Sequence, residues 1–374
     1  MRVLHYCQHV LGIGHFFRSM EIAKAFRPHR VTFVEGGTPL TGYEPPEHIT
    51  RVFLPALMMD PQFRSFETEE EDLESLKERR REKLLETYRQ TRPDVLLIEL
   101  FPFGRKKFRF ELIPLLEENL SRSPGAQVVC SVRDILVEKT DTAAYEEKVL
   151  KVLNRYFDLV LVHGDPDMIP LSATFSRTAH IRPPVVHTGY VLRSLPSPPP
   201  EKIPGRVVVS TGGGRVGWEL LEAVWRAWNL LGRSDLHLHI YQGPFMEDQD
   251  RRRIQEWAAR DPRLALRPFA LDFTARMAEA ELSISMAGYN TCMDILVTGT
   301  RALVFPFPQN REQALRADAL EERGVVRVLR SLDPKDVAQA IEQELSSNPP
   351  PRHLPRCDGA RETVRAIENL APRH

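Results

Sequence analysis

Residues 206–231 read RVVVSTGGGRVGWELLEAVWRAWNLL. Val207, Val208 and Val209 are consecutive and apolar, so a strand here buries both faces, as strands of covered parallel sheets do. Thr211 and three glycines follow, then a segment in which Leu220, Leu221, Val224 and Trp228 recur at helical spacing. The stretch predicts a strand over Arg206–Ser210, a tight turn, and a helix over Trp218–Leu231.

Downstream the rhythm repeats. Strands are expected at 237–242, 264–269, 282–286, 302–305 and 325–329, with helices at 247–259, 291–297 and 312–322. Upstream, residues 192–205 read LRSLPSPPPEKIPG, proline-rich and without apolar periodicity, which marks a linker. Before it the same alternation occupies 2–9, 16–26, 31–36, 94–100, 127–135, 145–156 and 158–163, with a solvated helix in the charged run 67–92. The expected fold is α/β: two Rossmann-like doubly wound domains, 1–191 and 206–349, with a tail 350–374 whose helix, near 360–370, can pack back on the first domain.

A chain of 374 residues suits two cores. Its 51 basic and 51 acidic residues cancel, which argues against nucleic acid as a partner. No apolar run is long enough to span a bilayer and the N-terminus lacks a signal-peptide pattern, so a cytoplasmic location is expected, with peripheral contact at the inner membrane face left open. Cys7, Cys130, Cys292 and Cys357 lack zinc-like spacing and read as reduced thiols.

Three constellations carry chemistry. The first turn holds Gly12, Gly14 and His15 ahead of a helix, with free N–H groups for a diphosphate and an imidazole suited to general base work. The dinucleotide fingerprint needs a third glycine where Phe17 stands, so a dehydrogenase with Glu35 on the ribose is disfavoured. Asp134 could orient His15, and Arg133, Glu99 and Arg18 are candidates on the acceptor side. The second turn, Thr211 with Gly212, Gly213 and Gly214, suits a diphosphate at a helix N-terminus. The third runs SMAGYNTCMD over 285–294 and FPFPQNREQ over 305–313.

This third constellation resembles the donor-binding half of GT-B glycosyltransferases of family 28, the MurG-like enzymes, and the two glycine turns resemble that family's loops. A little-described group of predicted MurG-like transferases is closer still, through segments similar to 130–136, 161–165 and 188–191. The resemblance implies the two domains face each other across a cleft, with a nucleoside-diphosphate sugar, UDP-linked, bound by the second. It implies that Asp294, beside Thr291, takes the ribose hydroxyls in place of a family glutamate, and that Phe269 to Leu271 reads the base. Gly288 would join the diphosphate site, and Gln309, Asn310 and Gln313 would hold the sugar. Metal-free inverting transfer to an acceptor hydroxyl follows, with no cofactor; the acceptor, whether lipid-linked, peptide or small molecule, is not specified. A nucleotide-sugar hydrolase or epimerase and a non-catalytic nucleotide-sugar-binding protein remain as alternatives.

Asp165-Pro166-Asp167 spells a metal-binding DxD but equally an aspartate cap with proline behind it, the reading preferred here. His5, Cys7 and His9 share a strand face, but the outer two lie roughly 13 Å apart, too far for one zinc ion.

Overall fold

A computed structural model describes residues 1–9, 14–40, 42–59, 66–67, 72–137, 141–346 and 351–370. The chain forms two compact units, Met1–Val191 with Pro355–His374, and Leu192–Leu354.

In the first unit the elements follow as β1 (Arg2–Cys7), α1 (Gly14–Ala25), β2 (Arg30–Glu35), β3 (Ile49–Phe53), a short antiparallel pair β4 (Met58–Met59) and β5 (Phe66–Glu67), α2 (Leu73–Thr91), β6 (Val95–Glu99), α3 (Arg109–Leu120), β7 (Gln127–Arg133), α4 (Thr142–Tyr156), β8 (Leu159–His163) and β9 (Val185–His187). Seven strands form one parallel sheet in the order β3-β2-β1-β6-β7-β8-β9. The order reverses between β1 and β6, and in open α/β sheets ligands bind outside the carboxyl ends of the strands at such a switch point.

Strand periodicity divides this sheet into two unlike faces. Leu4, Tyr6, Leu96, Ile98, Val128, Cys130, Val132, Val160 and Val162 enter an apolar core with α2, α3 and α4. The alternate positions His5, Glu99, Ser131 and His163 are polar yet buried. Arg80 of α2 crosses the apolar side, where its Nε and Nη2 donate to Glu111 at 2.8 Å each and its Nη1 donates to the carbonyl oxygen of Gly36 at 2.7 Å. Gln8 Oε1 accepts a further bond from Arg80 Nη2 at 2.7 Å, so this buried cation is paired and hydrogen-bonded.

The second unit contains β10 (Arg206–Ser210), α5 (Trp218–Leu231), β11 (His237–Tyr241), α6 (Asp248–Arg260), β12 (Leu264–Arg267), α7 (Phe273–Ala278), β13 (Leu282–Met286), α8 (Tyr289–Thr298), β14 (Arg301–Phe305), α9 (Arg311–Glu322), β15 (Arg327–Val328) and α10 (Pro334–Ser346). Its six strands are parallel in the order β12-β11-β10-β13-β14-β15, with the switch point between β10 and β13. Val207, Val209, Leu238, Ile240, Leu282, Ile284 and Leu303 pack one face against α5 and α10. The last helix, α11 (Gly359–Glu368), lies in the first unit, where Glu368 bonds His29 Nε2 at 2.8 Å and the Arg356 N–H donates to Asp165 at 2.9 Å.

Candidate functional site

The switch point of the first unit gathers one carboxylate, one imidazole and two guanidinium groups. Glu99 ends β6 and is fully buried. His15, in the first turn of α1, places Nδ1 2.7 Å from Glu99 Oε1, and its side chain keeps 20% of its surface exposed. Arg18, one helical turn on, donates its Nη2 to the same oxygen, and Arg105 Nη2 stands 3.8 Å from Glu99 Oε2. Burial alone would raise the Glu99 pKa; His15, Arg18 and Arg105 instead hold it well below the usual carboxylate range. Burial pushes His15 down to about 3, against the upward pull of Glu99.

These charges settle the tautomer. At neutral pH the imidazole is uncharged and Glu99 is ionised, so Glu99 can only accept and Nδ1 must carry the proton. Nε2 then holds a lone pair, and it makes no hydrogen bond with any described residue. An imidazole held at one nitrogen, with a lone pair on the other, has the geometry of a general base with an orienting carboxylate.

The partner differs from the one the sequence suggests. Asp134 is buried and its Oδ1 accepts the Ile135 N–H at 2.9 Å, while Glu99, read as an acceptor-side residue, takes His15. Strand order explains this: β6, not β7, adjoins β1. Arg18, also expected at the acceptor, is buried at 3% exposure because its helix position turns it onto the sheet beneath His15. Arg133 ends β7 half-buried. Gly14 is the first residue of α1, and Gly12 lies outside the described residues. Glu35, the ribose acid of a dehydrogenase reading, is spent on Arg51, whose Nε and Nη2 bond it at 2.5 and 2.9 Å.

In the second unit Thr211 and the three glycines leave β10 at its switch point, and Gly288 leaves β13 beside it. Gly212 and Gly214 have φ of 68° and 86°, left-handed values that favour glycine. A Cβ on Gly212 or Gly288 would meet open space or only Thr291 Oγ1 at 3.9 Å, so a ligand can approach that backbone closely. Helices α5 and α8 start from Gly217 and Gly288, neither of which supplies a side-chain cap. Both helices follow adjacent strands, β10 and β13, and a helix start of this kind suits an anion. Gly243, which sequence reading missed, braces the loop: its Cβ would lie 2.3 Å from the Gly213 carbonyl carbon. The dipeptide Gly243-Pro244 after a strand was the available signal.

In the same unit Phe269 is half-buried and Leu271 is exposed, in the turn between β12 and α7. Gln309 is exposed, Asn310 caps α9 by accepting the Gln313 N–H at 3.2 Å, and Gln313 Oε1 accepts the Phe307 N–H at 3.0 Å. Asp294, expected to take the ribose hydroxyls, is 2% exposed and is engaged here by Thr274 and Arg193. Asp165 accepts the Asp167 N–H at 3.0 Å, but the residues behind it form a turn, not a helix. Among the described residues no helix is long and apolar enough to cross a membrane.

Comparison with known proteins bears on the fold and on the second unit. Residues 207–369 match the family described as the glycosyltransferase family 28 C-terminal domain. A UDP-N-acetylglucosamine--N-acetylmuramyl-(pentapeptide) pyrophosphoryl-undecaprenol N-acetylglucosamine transferase of Brucella canis is 35% identical over 83 residues, 21% of this chain. That match spans only 22% of the relative's own length. Among solved structures, MurG of Acinetobacter baumannii aligns over 99% of both chains with a TM-score of 0.57 and 16% identity. Phytolacca americana UGT2, complexed with UDP-2fluoro-glucose and pterostilbene, aligns over 98% of this chain and 94% of its own with a TM-score of 0.58 and 15% identity. The chain has the GT-B fold, and its residues 207–369 are similar to the C-terminal domain of glycosyltransferase family 28.

Proposed function

We propose that this protein is a glycosyltransferase that moves a sugar from a nucleoside-diphosphate sugar, UDP-linked, to an acceptor hydroxyl in one inverting displacement. The observation that carries the reading is the His15–Glu99 pair at the switch point of the first unit. His15 Nε2 takes the proton of the acceptor hydroxyl as its oxygen attacks the anomeric carbon, and Glu99 holds the ring and stabilises the imidazolium formed. The anomeric C–O bond breaks as the new one forms, and the electron pair leaves with the diphosphate.

The donor is assigned to the second unit. Amides of Gly212 to Gly214 and of the α8 start at Gly288, with the Thr211 hydroxyl, receive the departing diphosphate on fixed dipoles without requiring a metal ion. Phe269 and Leu271 hold the base and Gln309, Asn310 and Gln313 the sugar. The named donor of the Brucella relative makes UDP-N-acetylglucosamine the first to test. The protein acts in the cytoplasm or at the inner membrane face.

The test is UDP release from a panel of UDP-sugars with lipid-linked, peptide and small hydroxyl acceptors. Acceptor-dependent release that falls at least ~100-fold in His15→Ala supports the reading. Release without acceptor would mean a hydrolase, and unchanged turnover in His15→Ala would remove the base.

A further inference from the structure

Asp294 lies on α8, and its carboxylate is nearly sealed from solvent. Oδ1 accepts from Arg193 Nε at 2.8 Å and from Thr274 Oγ1 at 2.9 Å, and Oδ2 accepts from Arg193 Nη2. Thr274 is the second residue of α7, directly behind the turn that carries Phe269 and Leu271. The carboxylate therefore sits against the segment proposed to hold the nucleoside, yet both its oxygens are occupied.

Arg193 stands two residues past Val191, where the chain leaves the first unit. Residues 192–203 have no helix or strand to hold them. They are fixed at the far end, where Lys202 Nζ donates to the Ala280 carbonyl at 2.6 Å and to Thr300 Oγ1 at 3.0 Å, and the Ile203 N–H donates to Glu279 at 2.8 Å. Near their start they are held through Arg193, whose side chain is 16% exposed and so has a way out to solvent.

We propose that Arg193 and the ribose of the nucleotide are alternative occupants of Asp294, so that the donor binds by displacing the arginine and frees the start of this segment. The inference rests on the donor site proposed above. A guanidinium edge offers two parallel N–H donors to a carboxylate, and a vicinal 2′,3′-diol offers two O–H donors over a similar span. Either pair satisfies the buried anion, and the two compete for the same carboxylate oxygens. A ligand whose competent state must first be opened binds more weakly by the fraction of protein already open. A simple structural ion pair predicts the opposite sign, because deleting its cation only loosens the fold.

The experiment titrates the full chain with UDP and with 2′-deoxy-UDP. Trp218, Trp225, Trp228 and Trp257 all lie in the second unit, so intrinsic fluorescence reports there. Arg193→Met is expected to bind UDP about threefold or more tightly than the unsubstituted chain. It should bind 2′-deoxy-UDP, with one hydroxyl missing, with a smaller gain, and Asp294→Asn should lose the discrimination between the two nucleotides. Equal or weaker UDP binding in Arg193→Met, or an equal gain for both nucleotides, overturns the exchange while leaving the donor site standing. Failure of the unsubstituted chain to bind either nucleotide overturns the donor site and the exchange with it. Should Arg193→Met not fold, Arg193→Lys keeps the charge without the two-pronged edge, and the same dependence on the 2′-hydroxyl decides.

Discussion

Lowering the pH from 7 to 5 should strip stability from the first unit through histidines it buries uncharged. His5 and His163 are fully buried on the sheet face that carries Glu99, and burial brings each from 6.5 to about 3. His163 is bonded to Ser131 Oγ at 2.7 Å and Thr188 Oγ1 at 2.9 Å, whereas neither ring nitrogen of His5 has a hydrogen-bond partner among the described residues. The folded pKa lies below the unfolded one, so between the two values the unfolded chain binds protons that the folded chain refuses. Stability is therefore complete above pH 6.5 and declines as the pH falls towards 3. From 6.5 to 5 is about 1.5 units, and at 1.36 kcal/mol per unit each histidine removes about 2 kcal/mol, the two together about 4. A domain stable by roughly 5–15 kcal/mol would feel this strongly. His15 acts in the same direction.

Urea unfolding followed by far-ultraviolet circular dichroism at both pH values measures the loss, and His5→Leu isolates one contribution. Leucine has similar bulk and no charge to take up, so the variant should hold its stability at pH 7 and recover about 2 kcal/mol of the loss at pH 5. A variant that loses as much as the unsubstituted chain between pH 7 and 5 would refute the reasoning, for His5 would then bind its proton in the folded state.

Glu99→Gln should lower turnover about 10²- to 10⁴-fold with little change in donor affinity, read from initial rates and nucleotide titration. Gly243→Ala, whose Cβ would press on the Gly213 backbone, should weaken nucleotide binding by about tenfold while leaving the His15 site intact, measured by fluorescence titration. Arg80→Met leaves Glu111 buried without its guanidinium, and denaturant unfolding should register a loss of about 3–5 kcal/mol.

The strand-and-helix rhythm was legible because parallel strands covered on both faces are apolar throughout, as in Val207 to Val209 and Leu96 to Ile98. The glycine turns and His15 were legible because each follows such a strand directly. Pairings across the sheet were not. His15 and Glu99 are 84 residues apart and Arg193 and Asp294 are 101 apart, and only the strand order, or the return of an irregular segment onto a helix, brings them together. Arg18 illustrates the same limit: a charged side chain near a helix start reads as an acceptor-side group until the buried carboxylate beneath it is seen. Arg105 was missed because its proximity to Glu99 comes from a loop with no periodic signal.

The claim that the second unit holds a nucleoside-diphosphate donor is tested most directly by thermal denaturation of the full chain against nucleotides. The account predicts that a uridine or thymidine diphosphate, or its sugar ester, stabilises the protein by about 2.7 kcal/mol at a hundredfold excess over its dissociation constant, whereas NAD does not. A set in which no uridine or thymidine nucleotide raises the midpoint would contradict it.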